Sequence, residues 1–173
     1  MIICVVISSV LFYLCGAVPV QQADWQPNVC GEFLTHINTN TNTTTCYHMD
    51  ASHKTWNAAE ADCIQLGGHL ASIHDDVFNT FIFNAAEEMY SFEGVHIGLS
   101  DTNPGISGFG WSDGSVLNYS NFGKSMPNIN SGHCLYMQII NVQGYAGQRY
   151  AGQWYSEECD GFTMGHVCVR PTM

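Results

Sequence analysis

Cysteine is the residue type whose number and spacing carry the clearest chemistry in this chain. Of its eight cysteines, Cys4 and Cys15 fall in the apolar first twenty residues. The other six form an even set, which predicts three disulfides in an oxidising compartment, although the spacing alone does not choose their pairing. No Cys-x-x-Cys spacing occurs, so neither a redox motif nor haem attachment is indicated. The six are Cys30, Cys46, Cys63, Cys134, Cys159 and Cys168.

The eight histidines are the next residues whose spacing suggests chemistry, because imidazole is a common metal ligand. His48 and His53 are five residues apart, as are His69 and His74. Neither pair has the spacing that places two zinc ligands on one helix face, and no His-Glu-x-x-His motif occurs. We interpret them as surface or internally hydrogen-bonded histidines. With the mature cysteines assigned to disulfides, no nucleophile or metal centre predicts an enzyme.

The charge balance excludes two classes of partner. The chain has 15 Asp and Glu but only 4 Lys and Arg, a formal net charge of −11. It therefore lacks the cationic surface that binds nucleic acid or an anionic membrane. A hydrophobic fraction of 46% and an aromatic fraction of 12% predict a folded core, and 173 residues suit one domain.

The N-terminal segment has the composition of a targeting sequence. Residues 1–20 carry no charged side chain, and the apolar run ends at Cys15-Gly16-Ala17, small residues that a signal peptidase accepts. We predict a signal peptide at residues 1–17 and a secreted product with no other membrane span. An uncleaved signal anchor is the alternative, because no basic residues precede the run and it is just long enough to cross a bilayer.

The signal peptide is followed by a polar lead at residues 18–29 and then by the domain, at residues 30–171. An Asn- and Thr-rich tract at residues 38–45 favours a surface loop. Sequons at Asn42 and Asn118 predict glycosylation, which fits a secreted protein.

Two amphipathic helices are predicted in the first half of the domain. The first has Ser52 as a possible N-cap, apolar residues at three- and four-residue steps over residues 56–66, and a stop at Gly67-Gly68. The second begins near Asp75, and Asn79 lies off its apolar face. That face consists of Phe78, Phe81, Ile82, Ala85 and Met89.

Short strands are predicted in the second half, at residues 95–99, 134–140 and 166–169, so the fold class is α+β. Residues 101–133 form a long irregular region, which is typical of a functional or cross-braced loop. A repeated Tyr-Ala-Gly-Gln, beginning at Tyr145 and again at Tyr150, indicates either a lengthened hairpin or an exposed aromatic platform, and we favour the hairpin.

Several motifs taken together resemble the long form of the C-type lectin-like domain. They are the ordered cysteines, His-Ile-Gly-Leu at 96–99, Gly-Trp-Ser-Asp-Gly-Ser at 110–115, Pro127-Asn128 and Gly-Gln-Trp at 152–154. The resemblance implies two helices packed on short antiparallel sheets with a long irregular loop. It also implies the disulfides Cys63–Cys168, Cys134–Cys159 and Cys30–Cys46.

The same resemblance implies a calcium and sugar site in the long loop, but the ligands are altered. The family supplies oxygens from Glu-Pro-Asn or Gln-Pro-Asp, a nearby Glu and Trp-Asn-Asp. Here the first motif is Met126-Pro127-Asn128, and Tyr155 and Ser156 follow the tryptophan of the last. Only Asn128 remains of the family's side-chain ligands. Calcium needs several anionic oxygens, so we expect no strong calcium site and no other cofactor.

We therefore predict a secreted glycan-binding protein that uses the long-loop face without a strong calcium site. The alternative is a module that keeps the lectin scaffold and binds a protein instead of a sugar. We assign Trp111 and Trp154 to the core, Asp113 to a loop cap, and Glu157 with Glu158 to a solvated acidic edge. The candidate ligand-binding residues are Asn128, Tyr119, His133, Arg149, Tyr150 and Tyr155, with Phe122 and Tyr145 as further exposed aromatics.

Overall fold

The computed structural model describes residues 3–5, 14–16, 30–89, 93–102, 108–144 and 147–172. Within these ranges two helices accompany an eight-stranded mixed sheet, the α+β class predicted from the sequence. The elements in chain order are β1 (Ile3–Val5), β2 (Leu14–Gly16), β3 (Leu34–Asn38), β4 (Thr43–Lys54), α1 (Trp56–Gln65), β5 (His69–Leu70), α2 (Asp76–Met89), β6 (Gly94–Ser100), β7 (Gly110–Trp111), β8 (Cys134–Gln138), β9 (Val142–Gly144), β10 (Gly147–Arg149), β11 (Trp154–Glu157) and β12 (Met164–Arg170).

The main sheet has the strand order β11-β8-β6-β12-β4-β3, with β5 beside β12 and β7 beside β6. All of these pairs are antiparallel except β12 with β6, which is parallel. The three predicted strands are β6, β8 and β12, at the centre of the sheet. Strand β8 ends at Gln138, two residues before the predicted end. Strands β9 and β10 form a separate hairpin, as expected for the repeated segment.

The N-cap of helix α1 lies three residues after the possible cap at Ser52. The N-cap is Thr55, whose side chain accepts a hydrogen bond from the backbone N–H of Ala58, and Ser52 lies in strand β4. The helix ends as predicted, because Gly67 takes a φ of +80° that favours glycine. Its buried residues Trp56, Ala59 and Cys63 follow the predicted helical spacing.

Helix α2 begins at Asp76, and the Asp75 carboxylate accepts a hydrogen bond from the backbone N–H of Phe78. The buried face differs from the prediction at two positions. Met89 is 52% exposed, whereas Asn79 is only 5% exposed. Asn79 lies in the core because its Oδ1 accepts a hydrogen bond from the indole Nε1 of Trp154, at 2.8 Å.

Three disulfides cross-link the domain with the pairing that the resemblance implies. Cys63–Cys168 joins α1 to β12 over a sequence separation of 105 residues. Cys134–Cys159 joins β8 to the segment after β11, and Cys30–Cys46 joins the segment before β3 to β4. All six cysteines except the partly buried Cys159 are completely buried.

The long loop leaves and re-enters the sheet at one point. Ser100, at the end of β6, lies opposite Cys134 at the start of β8. The backbone N–H of Asp101 donates to the carbonyl of His133 at 3.0 Å, which closes the neck of the loop. Most of the described part of the loop lies outside strands and helices, as predicted.

The two faces of the central sheet differ in chemistry. One face carries the apolar core, in which Trp111 and Trp154 are completely buried, as predicted. On the other face the strand register aligns one residue from each of five neighbouring strands. We call this alignment the cross-strand row, and it consists of Asp50, His166, His96, Tyr136 and Tyr155.

Strands β1 and β2 lie within the predicted signal peptide and form a two-stranded antiparallel sheet. The predicted polar lead at residues 18–29 lies outside the described residues. Among the described residues, no helix has the length and hydrophobicity needed to span a membrane.

Candidate functional site

A pocket of about 170 Å³ lies where β8 and β11 meet the long loop and the β9–β10 hairpin. We call it the long-loop pocket. Its polar lining residues are Glu93, Ser131, Arg149, Ser156, Glu157 and Glu158, and its other lining residues are Tyr136, Phe162 and Met164. Of the six predicted ligand-binding residues, only Arg149 belongs to this lining.

Arg149 is held in place by the tyrosines of the cross-strand row. Its Nη1 donates to the hydroxyl of Tyr136 at 2.6 Å, and its guanidinium carbon lies 5.6 Å from the centre of the Tyr155 ring. Burial raises the pKa of Tyr136 to about 12, so this hydroxyl stays protonated at neutral pH. The cation is therefore presented to the pocket in a fixed position.

Tyr155 is only 3% exposed, contrary to the expectation of an exposed ligand-binding side chain. Strand alternation puts Trp154 on the apolar face and Tyr155 on the opposite face, which the long loop covers. A Cβ atom added at Gly123 would lie 2.3 Å from the Tyr155 ring, so the loop packs directly on it. The Tyr155 hydroxyl accepts a hydrogen bond from the backbone N–H of Tyr150 at 2.9 Å.

The residues at the family's calcium motifs form hydrogen bonds with one another. Asn128 Oδ1 accepts from the backbone N–H of Asn130, and Asn128 Nδ2 donates to Ser131. Ser156 Oγ accepts from the backbone N–H of Asn128, and the backbone N–H of Ser156 points to the sulfur of Met126. No carboxylate belongs to this set. These residues do not fit a hard dication that requires six to eight oxygens.

Glu157 lines the pocket but is buried. It is 3% exposed, so the predicted solvated acidic edge is wrong for Glu157, while Glu158 is exposed. Its Oε1 lies 3.0 Å from Nδ1 of the buried His96, but neither carboxylate oxygen makes a hydrogen bond with the described residues. A buried acceptor without a donor commonly marks a functional position. Glu157 is therefore a buried carboxylate in the wall of the pocket, with the His96 imidazole within ion-pair distance.

The other predicted ligand residues do not belong to the lining of the pocket. Tyr119 is partly buried, with its ring centre 5.7 Å from that of Trp154, and Phe122 packs edge-on against the same indole. Tyr150 is 48% exposed. Tyr145 lies outside the described residues.

His133 is exposed in the long loop and pairs with Asp101. Its Nδ1 lies 2.9 Å and 3.0 Å from the two carboxylate oxygens of Asp101. The hydrogen bond and the charge of Asp101 raise the pKa of His133 above the usual 6.5. Because the folded-state pKa is the higher one, the pair stabilises the loop at acidic pH, and this contribution disappears as pH rises through the raised pKa.

An NMR titration of the imidazole is expected to give His133 a pKa above 6.5 in the native protein. In Asp101→Asn the charge is lost while the shape is kept, so we expect the pKa of His133 to fall towards the ordinary value. An unchanged His133 titration curve in Asp101→Asn would mean that the pair does not form in solution.

The Asp113 turn in the long loop has a structural role. Asp113 caps its turn as predicted, because its carboxylate accepts hydrogen bonds from the backbone N–H of Ser115 at 2.9 Å and from the hydroxyl of Ser72 at 2.6 Å. Both Ser72 and Asp113 line a wider groove of about 840 Å³, which contains none of the predicted ligand residues.

Residues 110–114 also have the Gly-x-Ser-x-Gly spacing found at hydrolase nucleophiles. Such a nucleophile lies between a strand and a helix, beside a histidine base. Here Ser112 follows the two-residue strand β7 and donates to Glu60 at 3.0 Å, while His69 contacts the other oxygen of Glu60. No described histidine makes a hydrogen bond with Ser112, whose hydroxyl bonds Glu60 instead.

The disulfide pairing, the neck of the long loop and the two core tryptophans together match a known domain. Residues 52–170 match the family model described as the lectin C-type domain. The chain belongs to the C-type lectin domain family. Its two helices, mixed sheet and three disulfides are the family's fold in this chain.

Relatives and solved structures support the same family. The chain is 31% identical over 129 residues to human lymphocyte antigen 75, covering 73% of the chain and 6% of that protein. It is 33% identical over 129 residues to the mouse low affinity immunoglobulin epsilon Fc receptor, covering 72% of the chain and 34% of the receptor. The chain therefore spans only a small part of these relatives.

Among solved structures, the cow C-type carbohydrate-recognition domain of CD23, determined in the presence of a GlcNAc2Man3 oligosaccharide, is similar to this C-type lectin domain. The sequence identity is 27% and the TM-score is 0.58. The match covers 75% of this chain and 89% of the cow domain.

The two predicted sequons are both on the surface. Asn42 is exposed in the turn between β3 and β4, with a φ of +55°. Asn118 is also exposed, and its side-chain oxygen lies 2.7 Å from Nδ1 of His74. Glycosylation at Asn42 and Asn118 stays a prediction.

Proposed function

We propose that this C-type lectin domain is a secreted, non-enzymatic protein that binds glycans in the long-loop pocket without calcium. The observation that carries the proposal is Glu157, a buried carboxylate that has the His96 imidazole 3.0 Å from one oxygen and makes no hydrogen bond with the described residues, in a pocket that also contains Arg149. A sugar hydroxyl donates and accepts hydrogen bonds, so it satisfies a carboxylate and a guanidinium together.

The size of the pocket favours a single sugar ring. Its volume of about 170 Å³ is smaller than the roughly 300 to 1,000 Å³ of pockets for drug-sized ligands. Ser131 and Ser156 add two hydroxyls to the wall, and Phe162, which is 69% exposed, adds an aromatic surface at the rim. Fixed polar groups beside one apolar surface suit a ring that has both hydroxyl and C–H faces.

Calcium independence follows from the residues at the loop motifs. Asn128 and Ser156 use their side-chain oxygens within the loop, and Met126 offers only a thioether. The affinity must then come from hydrogen bonds and aromatic contact. The cow domain, solved in the presence of an oligosaccharide, supports a sugar as the ligand class.

The second candidate function is recognition of a protein partner. Phe162 is 69% exposed and Ile129, in the same loop as Asn128, is 59% exposed. Exposed apolar and aromatic side chains beside an arginine are typical of protein interfaces. The mouse relative is named as a receptor for an immunoglobulin Fc region, which favours this alternative.

A glycan array probed with calcium and with EDTA distinguishes the two functions. We expect specific glycan signals of equal strength in both buffers, and a loss of about tenfold or more in Glu157→Gln, because a charged acceptor contributes roughly 1.5 to 3 kcal/mol. Asn128→Ala is the matched control and is expected to bind normally. Melting curves of both variants would check that they fold.

Each other outcome contradicts part of the proposal. Signals that disappear in EDTA would overturn calcium independence. Equal binding by Glu157→Gln would place the sugar outside the long-loop pocket. A blank array together with saturable binding to one purified extracellular protein would favour the protein-binding function.

A further inference from the structure

A second group of chemically reactive side chains lies away from the long-loop pocket, at the other end of the cross-strand row. His166 on β12, Asp50 on β4 and Asp62 on α1 each offer one ligand atom, and these three atoms lie within 4.8 Å of one another. His166 and Asp50 are register partners in the sheet. This group contains none of the four histidines that lie five residues apart in the sequence.

His166 is the unexplained residue of this group. It is completely buried, and neither of its ring nitrogens has a hydrogen-bond partner among the described residues. Desolvating both nitrogens of an imidazole without a partner is unfavourable unless a ligand compensates. The two carboxylates close to it are half-buried and reach solvent.

We propose that His166, Asp50 and Asp62 form a binding site for a divalent transition-metal ion such as zinc. One imidazole nitrogen and two carboxylate oxygens are three protein ligands of the type zinc takes, and water from the open side supplies the fourth. The oxygens are too few for calcium, which needs at least six. This proposal departs from the expectation of no metal site, which rested on the long loop and the two histidine pairs.

The chemistry of the three groups suits metal binding, because imidazole nitrogens and carboxylate oxygens are both ligands of zinc. Cys63 and Cys168 also lie near His166, but their disulfide offers no thiolate.

The Lys54 ammonium competes with a metal ion for the proposed carboxylate ligands. Its ammonium forms an ion pair with Asp62, and its charge also acts on Asp50 and His166. His48 and His96 face His166 as well, but both lie on the strands beside it and are not in the group of ligand atoms. The Lys54 side chain is partly exposed, at 31%, so it can leave the carboxylates when a dication enters.

Isothermal titration of the oxidised full chain with zinc chloride, after removal of metals with EDTA, tests the site. We expect one zinc per chain. Asp62→Asn is expected to weaken binding by about tenfold or more because it removes an anionic ligand. Lys54→Met is expected to tighten binding by about tenfold or more because it removes the competing cation.

His133→Gln is the matched control, because His133 forms an exposed histidine–carboxylate pair with Asp101 outside the proposed site. It is expected to bind zinc as the native chain does. Cobalt absorption in Lys54→Met is expected to show a tetrahedral spectrum with nitrogen and oxygen ligands. The proposal is overturned if no stoichiometric zinc binds, if Lys54→Met binds no tighter, or if His133→Gln abolishes binding.

Discussion

Replacing both Cys63 and Cys168 by alanine is expected to lower the free energy of unfolding by about 5 kcal/mol. The disulfide closes a loop of 105 residues, and the chain-entropy model gives roughly that value for a loop of this length. The disulfide also connects α1 to the central strand β12, so the double variant loses the covalent link between the helix and the sheet. This change is expected to be among the most destabilising in the domain.

The measurement is denaturant unfolding of the double variant beside the native chain. Cys30→Ala with Cys46→Ala is the control, because its loop spans 16 residues and the same model gives about 3 kcal/mol. Equal losses in the two double variants would argue against loop entropy as the main effect. The control pair also leaves the central strands cross-linked.

The second large effect is expected from Trp154→Ala, at about 3 to 5 kcal/mol. Trp154 is completely buried at the centre of an aromatic cluster, with Trp111 edge-on at 5.5 Å and Phe122 edge-on at 5.6 Å. Alanine leaves a cavity that these rings cannot fill. It also removes the indole donor from Asn79, whose amide oxygen is then buried without its partner.

Trp154→Phe separates packing from hydrogen bonding. Phenylalanine fills most of the volume but has no N–H, so we expect a smaller loss, of about 1 to 3 kcal/mol, from the unpaired oxygen of Asn79. The free energy of unfolding of both variants can be measured with urea. If Trp154→Phe were as unstable as Trp154→Ala, the hydrogen bond rather than the cavity would dominate.

The helices could be predicted from the sequence because they depend on local patterns of apolar and turn-forming residues. Helical spacing predicted α1 and α2 closely, and glycine at 67 predicted the end of α1. The cap at Ser52 was wrong because strand β4 continues through that residue, and strand pairing is decided by the partner β12 rather than by local preference. The pairing of the cysteines required the family resemblance.

The site was less predictable because its residues are placed by distant segments. Tyr155 and Glu157 alternate with core residues along β11, which indicates an outward face, but the long loop covers that face. Asn79 is buried because of an indole 75 residues away. The side chain of His166 meets Asp62 only after α1 and β12 pack together, so no sequence spacing reveals that group.

The closed neck between Asp101 and His133 has a consequence for variation in this domain. Because the loop starts and finishes at adjacent sheet positions, changes in its length do not shift the strands that flank it. Each doubling of a flexible loop adds only about 0.6 kcal/mol of closure entropy. Peptide insertions are therefore expected to be tolerated at exposed positions of the loop, whereas Trp111, which is buried in the core, and Gly123, which packs on Tyr155, must be kept.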